Sequence, residues 1–241
     1  MCEVCERKLE GRRRFLSLAG LGLASAGIAL LGGGRAIAAP SAGAGVGPAE
    51  ALARLKAGNA RYVSSGELCV AELASQRASV AAVQTPWATI VSCADSRLPP
   101  ELVYGGLGHG ELFVARNAGN MVDTATKGTV EYGSAVLGVQ LVVVLGHRNC
   151  GAVKAACDIV SKGASYPGAI EPMVQAIVPA ARAVKGQPGD FVDNAVREST
   201  RRTATQLATR STILAGLIKE KKLMVVAAIY DLESGKIEYI A

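Results

Sequence analysis

Aromatic side chains are scarce. They make up 4% of the 241 residues, with a single tryptophan, and no block of lysine and arginine stands outside the first 35 positions. A nucleic-acid surface needs clustered basic side chains and stacking rings, so that class of function is excluded. Histidine is rarer still, at two residues, His109 and His147. No internal repeat is visible. The length supports one sizeable core and is marginal for two. Half of the formal charge of +6 comes from the first 35 residues, where six basic side chains face three acidic ones. The rest of the chain has the charge balance of an ordinary, mildly basic domain.

Residues 1–39 read as a cleavable export signal rather than as fold. Arg12-Arg13-Arg14-Phe15-Leu16 is followed by an uncharged run rich in Gly, Ala and Leu, Ser17 to Gly34, and then by the small-x-small site Ala36-Ile37-Ala38. This resembles a twin-arginine signal, with Gly11 where Ser or Thr is usual. The run is just long enough to span a membrane, but its glycines and cleavage site argue against an anchor that outlasts processing. The expected destination is the periplasm or beyond. Such a route carries folded, metal-loaded proteins, and Cys2-x-x-Cys5 within the leader is weak evidence for metal on its own. Residues 40–47 form a Gly/Ala linker, and 48–241 form the folded domain.

In that domain Ala88 to Ser92, Leu112 to Ala115, Leu141 to Leu145 and Met224 to Ile229 are short runs rich in β-branched residues, which predict strands. Lys236 to Ile240 alternates after Ser234-Gly235 and predicts a hairpin return at the sheet edge. Helices are predicted over Pro48 to Val63, broken at Gly58-Asn59, and over Thr124 to Leu137, Gly151 to Val160, Glu171 to Val184 and Asp193 to Lys219. Apolar strands alternating with helices give an α/β fold. Its central sheet is mostly parallel and flanked by helices, with an antiparallel C-terminal edge strand and an N-terminal helical arm.

Of the six cysteines, Cys2 and Cys5 lie in the leader, and Cys69 and Cys157 read as small buried hydrophobes or surface thiols. In a secreted chain the four outside the leader would allow two disulfides. Cys93 and Cys150 stand instead at a strand end and a helix start, in Cys93-Ala94-Asp95-Ser96-Arg97 and His147-Arg148-Asn149-Cys150. Two thiolates and an imidazole suit zinc, with a fourth position for water or a carboxylate. His-x-x-Cys lets two ligands from one turn reach one ion, and Cys93, 54 positions before His147, must arrive from a neighbouring strand. Asp95 and Arg97 lie two apart and can pair. Asp95 could orient a nucleophile, or swing onto zinc as fourth ligand in a closed state.

C-x-D-x-R followed by H-x-x-C is the signature of the β-class carbonic anhydrases, and the chain resembles that family over nearly all of residues 48–241. The blocks Asp95 to Glu101, Phe113 to Asn120, Gly146 to Ala152 and Leu52-x-x-Leu55-x-x-Gly58-Asn59-x-Arg61-Tyr62 are similar to it as well. The resemblance implies a Zn2+ lyase interconverting CO2 and bicarbonate through zinc-bound hydroxide, with Asp95 orienting it and Arg97 orienting Asp95. Gln84, nine residues before Cys93, together with Phe113 and Tyr132, matches the plant-like, open-site subtype. In the bicarbonate-regulated subtype a tryptophan lies three before the first cysteine, where this chain has Ile90. Ala118 and Gly151 are further candidates for substrate contact, and the Gly151-Ala152 helix start suits an anion. His109 is either a proton shuttle or a solvent-exposed turn residue. The family forms homodimers or homotetramers whose sites are lined by both protomers, with the N-terminal arm wrapping the partner. Two other functions remain open: hydrolysis of CS2 or COS on the same fold, and zinc binding without catalysis.

Overall fold

The computed structural model describes residues 45–64 and 73–240. The leader, most of the linker and Cys69 lie outside them. Five strands form one sheet: β1 (Ala88–Cys93), β2 (Leu112–Asn117), β3 (Leu141–His147), β4 (Met224–Tyr230) and β5 (Ile237–Ile240). The spatial order is β2-β1-β3-β4-β5. The first four strands run parallel and β5 returns antiparallel to β4 at the edge. β1 and β3 are buried along their whole length, which is why both read as unbroken apolar runs rather than as alternation.

The helices are α1 (Pro48–Ser64), α2 (Leu73–Val80), α3 (Pro100–Val103), α4 (Thr124–Ala135), α5 (Gly151–Lys162), α6 (Ile170–Gln175), α7 (Val178–Val184), α8 (Phe191–Arg210) and α9 (Thr212–Lys219). None of those described is long and apolar enough to cross a membrane. One face of the sheet packs with α1 and α5 to α8 around Ile90, Leu141, Val143, Leu145, Val153 and Ala181. The other carries Val91, Val142 and Val144 against Val130 of α4, Leu207 of α8 and Leu214 of α9.

Three predicted helices need correction. α1 is not broken at Gly58-Asn59 but runs through them, and both are buried. Gly58 is there because α1 crosses the α3 loop backbone to backbone. A side chain at Gly58 would overlap the Tyr104 carbonyl oxygen, and one at Gly105 (φ +93°) would lie 2.7 Å from the Gly58 carbonyl. Asn59 Nδ2 donates to the carbonyls of Val103 and Gly235 at 2.9 and 2.8 Å, and its Oδ1 accepts from Ile237 N–H at 2.9 Å. The polar pair thus docks α1 onto its own chain, beside β5, instead of ending it.

The helix predicted over Asp193 to Lys219 is two helices. Ser211 takes an extended conformation and caps α9 through Leu214 N–H, while its hydroxyl donates to Glu131 of α4 at 2.7 Å. The segment Glu171 to Val184 is likewise two short helices, α6 and α7, joined at Ala176 and Ile177. Val46, within the linker assignment, is buried against the core.

Candidate metal centre

β1 and β3 are neighbours, so their carboxyl ends bring Cys93 and His147 together across the 53 residues that separate them in the chain. Topology of this kind places sites at the carboxyl ends of strands. After His147 the chain turns at Asn149 (φ +55°), a left-handed conformation that asparagine tolerates better than most side chains. That turn returns Cys150 as the N-cap of α5. The two sulfurs and the imidazole nitrogen lie within 4.8 Å of one another, and all three residues are buried. Cys93 Sγ and Cys150 Sγ are 3.9 Å apart. Two sulfurs at Zn–S bond length on a tetrahedron would be about 3.8 Å apart, so the spacing fits zinc.

The imidazole is set for the same purpose. His147 Nδ1 meets the carbonyl oxygen of Arg148 at 2.9 Å. A carbonyl only accepts, so Nδ1 carries the hydrogen and Nε2 presents a lone pair. That nitrogen is completely buried and has no hydrogen-bond partner. An orphaned acceptor beside two thiols is costly unless an ion takes it.

The Cys93 thiol is held below its ordinary value, chiefly by the Cys150 thiol, against the opposing effect of burial. The Gly119 N–H, 3.4 Å from the sulfur, assists. Cys150 is pushed up in turn by Cys93 and by burial. Cys93 is thus the readier of the two thiols to give up its proton, and a divalent cation would draw off both.

Asp95 follows on the loop after β1. Its Oδ1 accepts from Arg97 Nε and from the Arg97 backbone N–H, both at 2.9 Å, and its Oδ2 accepts from Arg97 Nη2 at 2.8 Å. The Arg97 guanidinium holds this carboxyl well below the usual carboxylate range. The pair's stabilisation is therefore complete above the ordinary carboxylate pKa of about 4 and fades only as pH falls through the lowered value. Asp95 Oδ2 stands 3.8 Å from His147 Nε2, so the carboxylate faces the ligand group while both of its oxygens are engaged by Arg97.

The remaining candidates divide. Ala118 sits on the loop whose next residue, Gly119, touches Cys93, and Gly151 opens α5. Gln84, Phe113 and Tyr132 are not brought to the ligands within this chain. Phe113 pairs with Thr89, four residues and about 13 Å before the level of Cys93. Gln84 is exposed just before β1. α4 runs back along the sheet, so Tyr132, 48% exposed, ends beside Phe113 with ring centroids 6.2 Å apart. Gln84 precedes β1, and Tyr132 packs on Phe113 near the start of β2, so all three belong to the amino end of the sheet. His109 is exposed in the Gly105 to Gly110 loop. Cys157 is buried, and burial pushes its thiol up to about 11, which fits a packing role. Cys93, Cys150 and Cys157 are all free thiols.

Two contacts were not foreseen from the sequence. Arg116 Nε donates to the Cys93 carbonyl at 3.0 Å and its Nη2 to the Asp95 carbonyl at 2.7 Å, fixing the loop that carries both. Gly119 N–H donates to the thiolate itself. Neither has a signature in spacing, because both depend on β2 lying beside β1.

Residues 88–237 match the family model described as carbonic anhydrase. The carbonic anhydrase of Mycolicibacterium smegmatis is 35% identical over 191 residues, covering 79% of this chain and 92% of that protein. Carbonic anhydrase 2 of Mycobacterium tuberculosis is 34% identical, covering 78% and 91%. Among solved structures, the Coccomyxa β-carbonic anhydrase in complex with acetazolamide superposes with a TM-score of 0.62 at 25% identity, over 71% of this chain and 79% of that one. One from Sordaria macrospora, described as tetrameric, shares the fold with a TM-score of 0.61 at 22% identity, over 68% and 85%. Relatives that span nearly their full length, the shared sheet and a Cys-His-Cys group at its strand ends agree: this chain is a member of the β-class carbonic anhydrase family.

Proposed function

We propose that the chain catalyses the reversible hydration of CO2 to bicarbonate and a proton, with zinc held by Cys93 Sγ, His147 Nε2 and Cys150 Sγ. The observation that carries this reading is the buried trio of donors within 4.8 Å, with a carboxylate locked beside it. Zinc, when bound, supplies a Lewis acid that makes water a competent nucleophile near neutral pH. Asp95, kept ionised by Arg97, accepts a hydrogen bond from that nucleophile and aims it. The first N–H groups of α5, at Gly151 and Ala152, favour the anionic product. Arg97 holding both Asp95 oxygens supports the open-site subtype, in which the carboxylate does not close the metal.

Gln84, Phe113 and Tyr132 lie far from this chain's own ligands, which supports a homodimer or larger assembly in which they line the site of a neighbouring copy. The leader supports twin-arginine export and a periplasmic enzyme. Native mass spectrometry of protein recovered from the periplasm tests both statements. The expected species contains at least two copies of a chain that has lost its leader at the Ala36-Ile37-Ala38 site, and a monomer or an unprocessed chain contradicts the corresponding statement.

Stopped-flow measurement on zinc-loaded protein, with CO2, COS and CS2 in parallel, tests the reaction. The expected result is CO2 hydration accelerated by about 10^6-fold or more over the uncatalysed reaction, the low end for enzymes. Turnover of COS or CS2 with CO2 untouched would favour the hydrolase reading. Zinc bound without turnover of any of the three would favour a binding protein.

A further inference from the structure

The residue whose carbonyl orients His147 is tied both to a neighbouring strand and to two carboxylates. Arg148 supplies the carbonyl that receives the His147 Nδ1 hydrogen, and its own N–H donates to the Tyr230 carbonyl at 3.0 Å. The next residue, Asn149, is in the left-handed region, so the sheet ladder no longer holds the chain there. The Arg148 side chain continues to hold it. Its Nε lies 3.3 Å from Asp231 Oδ2 and 3.6 Å from Asp193 Oδ1.

Both carboxylates are fixed in place. Asp231 Oδ1 accepts from Glu233 N–H, Ser234 N–H and the Ser234 hydroxyl in the β4–β5 turn, which leaves Oδ2 for Arg148. Asp193 stands in the first turn of α8, where its N–H is capped by Asp190. Its Oδ1 is buried without any hydrogen bond and faces the Arg148 charge alone. Its Oδ2 lies 3.5 Å from Arg197, which grips Glu238 of β5 through two bonds of 3.0 and 2.6 Å.

We propose that Arg148 is a positioning residue for the metal ligand His147: the carboxylate clasp of Asp193 and Asp231 holds its peptide plane, and that plane fixes the imidazole tautomer and the return of the chain to Cys150. The inference rests on the zinc reading above. Loss of such outer contacts typically weakens metal binding by about 10 to 100-fold. Arg148 is 48% exposed, and exposed ion pairs contribute little individually, so the low end applies.

The test uses full-length, zinc-loaded protein with an excess of chromophoric chelator, reading the rate of zinc release for the parent, Arg148→Ala and Arg148→Lys. Release is expected to be about tenfold faster in Arg148→Ala, and Arg148→Lys is expected to stay within about threefold of the parent. The ligand-field bands of the cobalt-substituted protein should shift in the alanine variant and return in the lysine variant, a signature that a general loss of stability does not give. If Arg148→Ala does not fold, Asp193→Asn combined with Asp231→Asn reads the same clasp from the carboxylate side. Release rates within twofold of the parent in whichever of these variants folds, or equal acceleration in the alanine and lysine variants, would overturn the inference and leave the zinc reading standing. A well-folded parent that takes up no zinc would overturn both.

Discussion

Cys93→Ala is expected to lose both bound zinc and CO2 hydration, with activity falling by about 10^6-fold or more, to the background of the uncatalysed reaction. The thiolate is the residue's main contribution. Cys93 is the thiol held low, the readier of the two to give up its proton to a cation. Without it, one thiol and one neutral imidazole remain, a pair that cannot neutralise a divalent ion in a buried site. The loss extends to the scaffold, since Gly119 N–H then has no acceptor. Zinc per chain by elemental analysis and stopped-flow activity on the same preparation check it. A variant that retains one zinc per chain with parental turnover would show that the ion sits elsewhere.

Arg97→Ala carries the second large effect, and its sign at each pH can be worked out. In the parent, Arg97 holds Asp95 ionised across the neutral range and occupies both of its oxygens. Removing the guanidinium returns the Asp95 pKa upward toward the ordinary value of about 4, so the carboxylate is still charged at pH 7. Its freedom changes instead: held only by the backbone N–H of residue 97, and 3.8 Å from His147 Nε2, it would be able to swing onto a bound cation as fourth ligand. Activity at pH 7 is expected to fall by about 10^2-fold, the scale of a lost acid–base or orienting group. The remaining activity should shift toward pH above about 8, where hydroxide competes better for the ion. Asp95→Asn cannot become an anionic ligand, so it should lose activity without that alkaline shift. Profiles of kcat/KM against pH for the two variants separate these outcomes, and identical profiles would count against the closing role of Asp95.

The convergence of Cys93, His147 and Cys150 was legible because the trio's chemistry is written in residue type and short spacing. Cys and His are rare here, and His147 and Cys150 sit on one turn. The strands were legible for a related reason: β1 and β3 are buried on both faces, so their apolar runs are continuous. Gly58 and Asn59 were misread as a helix break because local propensity describes a helix in water. In the fold, Gly58 allows a backbone crossing, and Asn59 makes bonds to partners as many as 178 residues away. Ser211 ends α8 and starts α9 through its pairing with Glu131, a contact invisible to any local window. Arg116 and the Arg148 clasp were missed for the same reason: their meaning depends on which segments the sheet brings alongside them.

The order of the strands has a consequence for assembly. β2 and α4 intervene in the chain between β1 and β3, so Cys93 comes from one arm of that excursion and His147 and Cys150 from the other. Neither arm alone offers all three donors, and the complete set exists only where β1 and β3 are paired. Tight chelation by this chain is therefore expected to report that the middle of its sheet is intact, and to vanish with any disruption that parts those two strands.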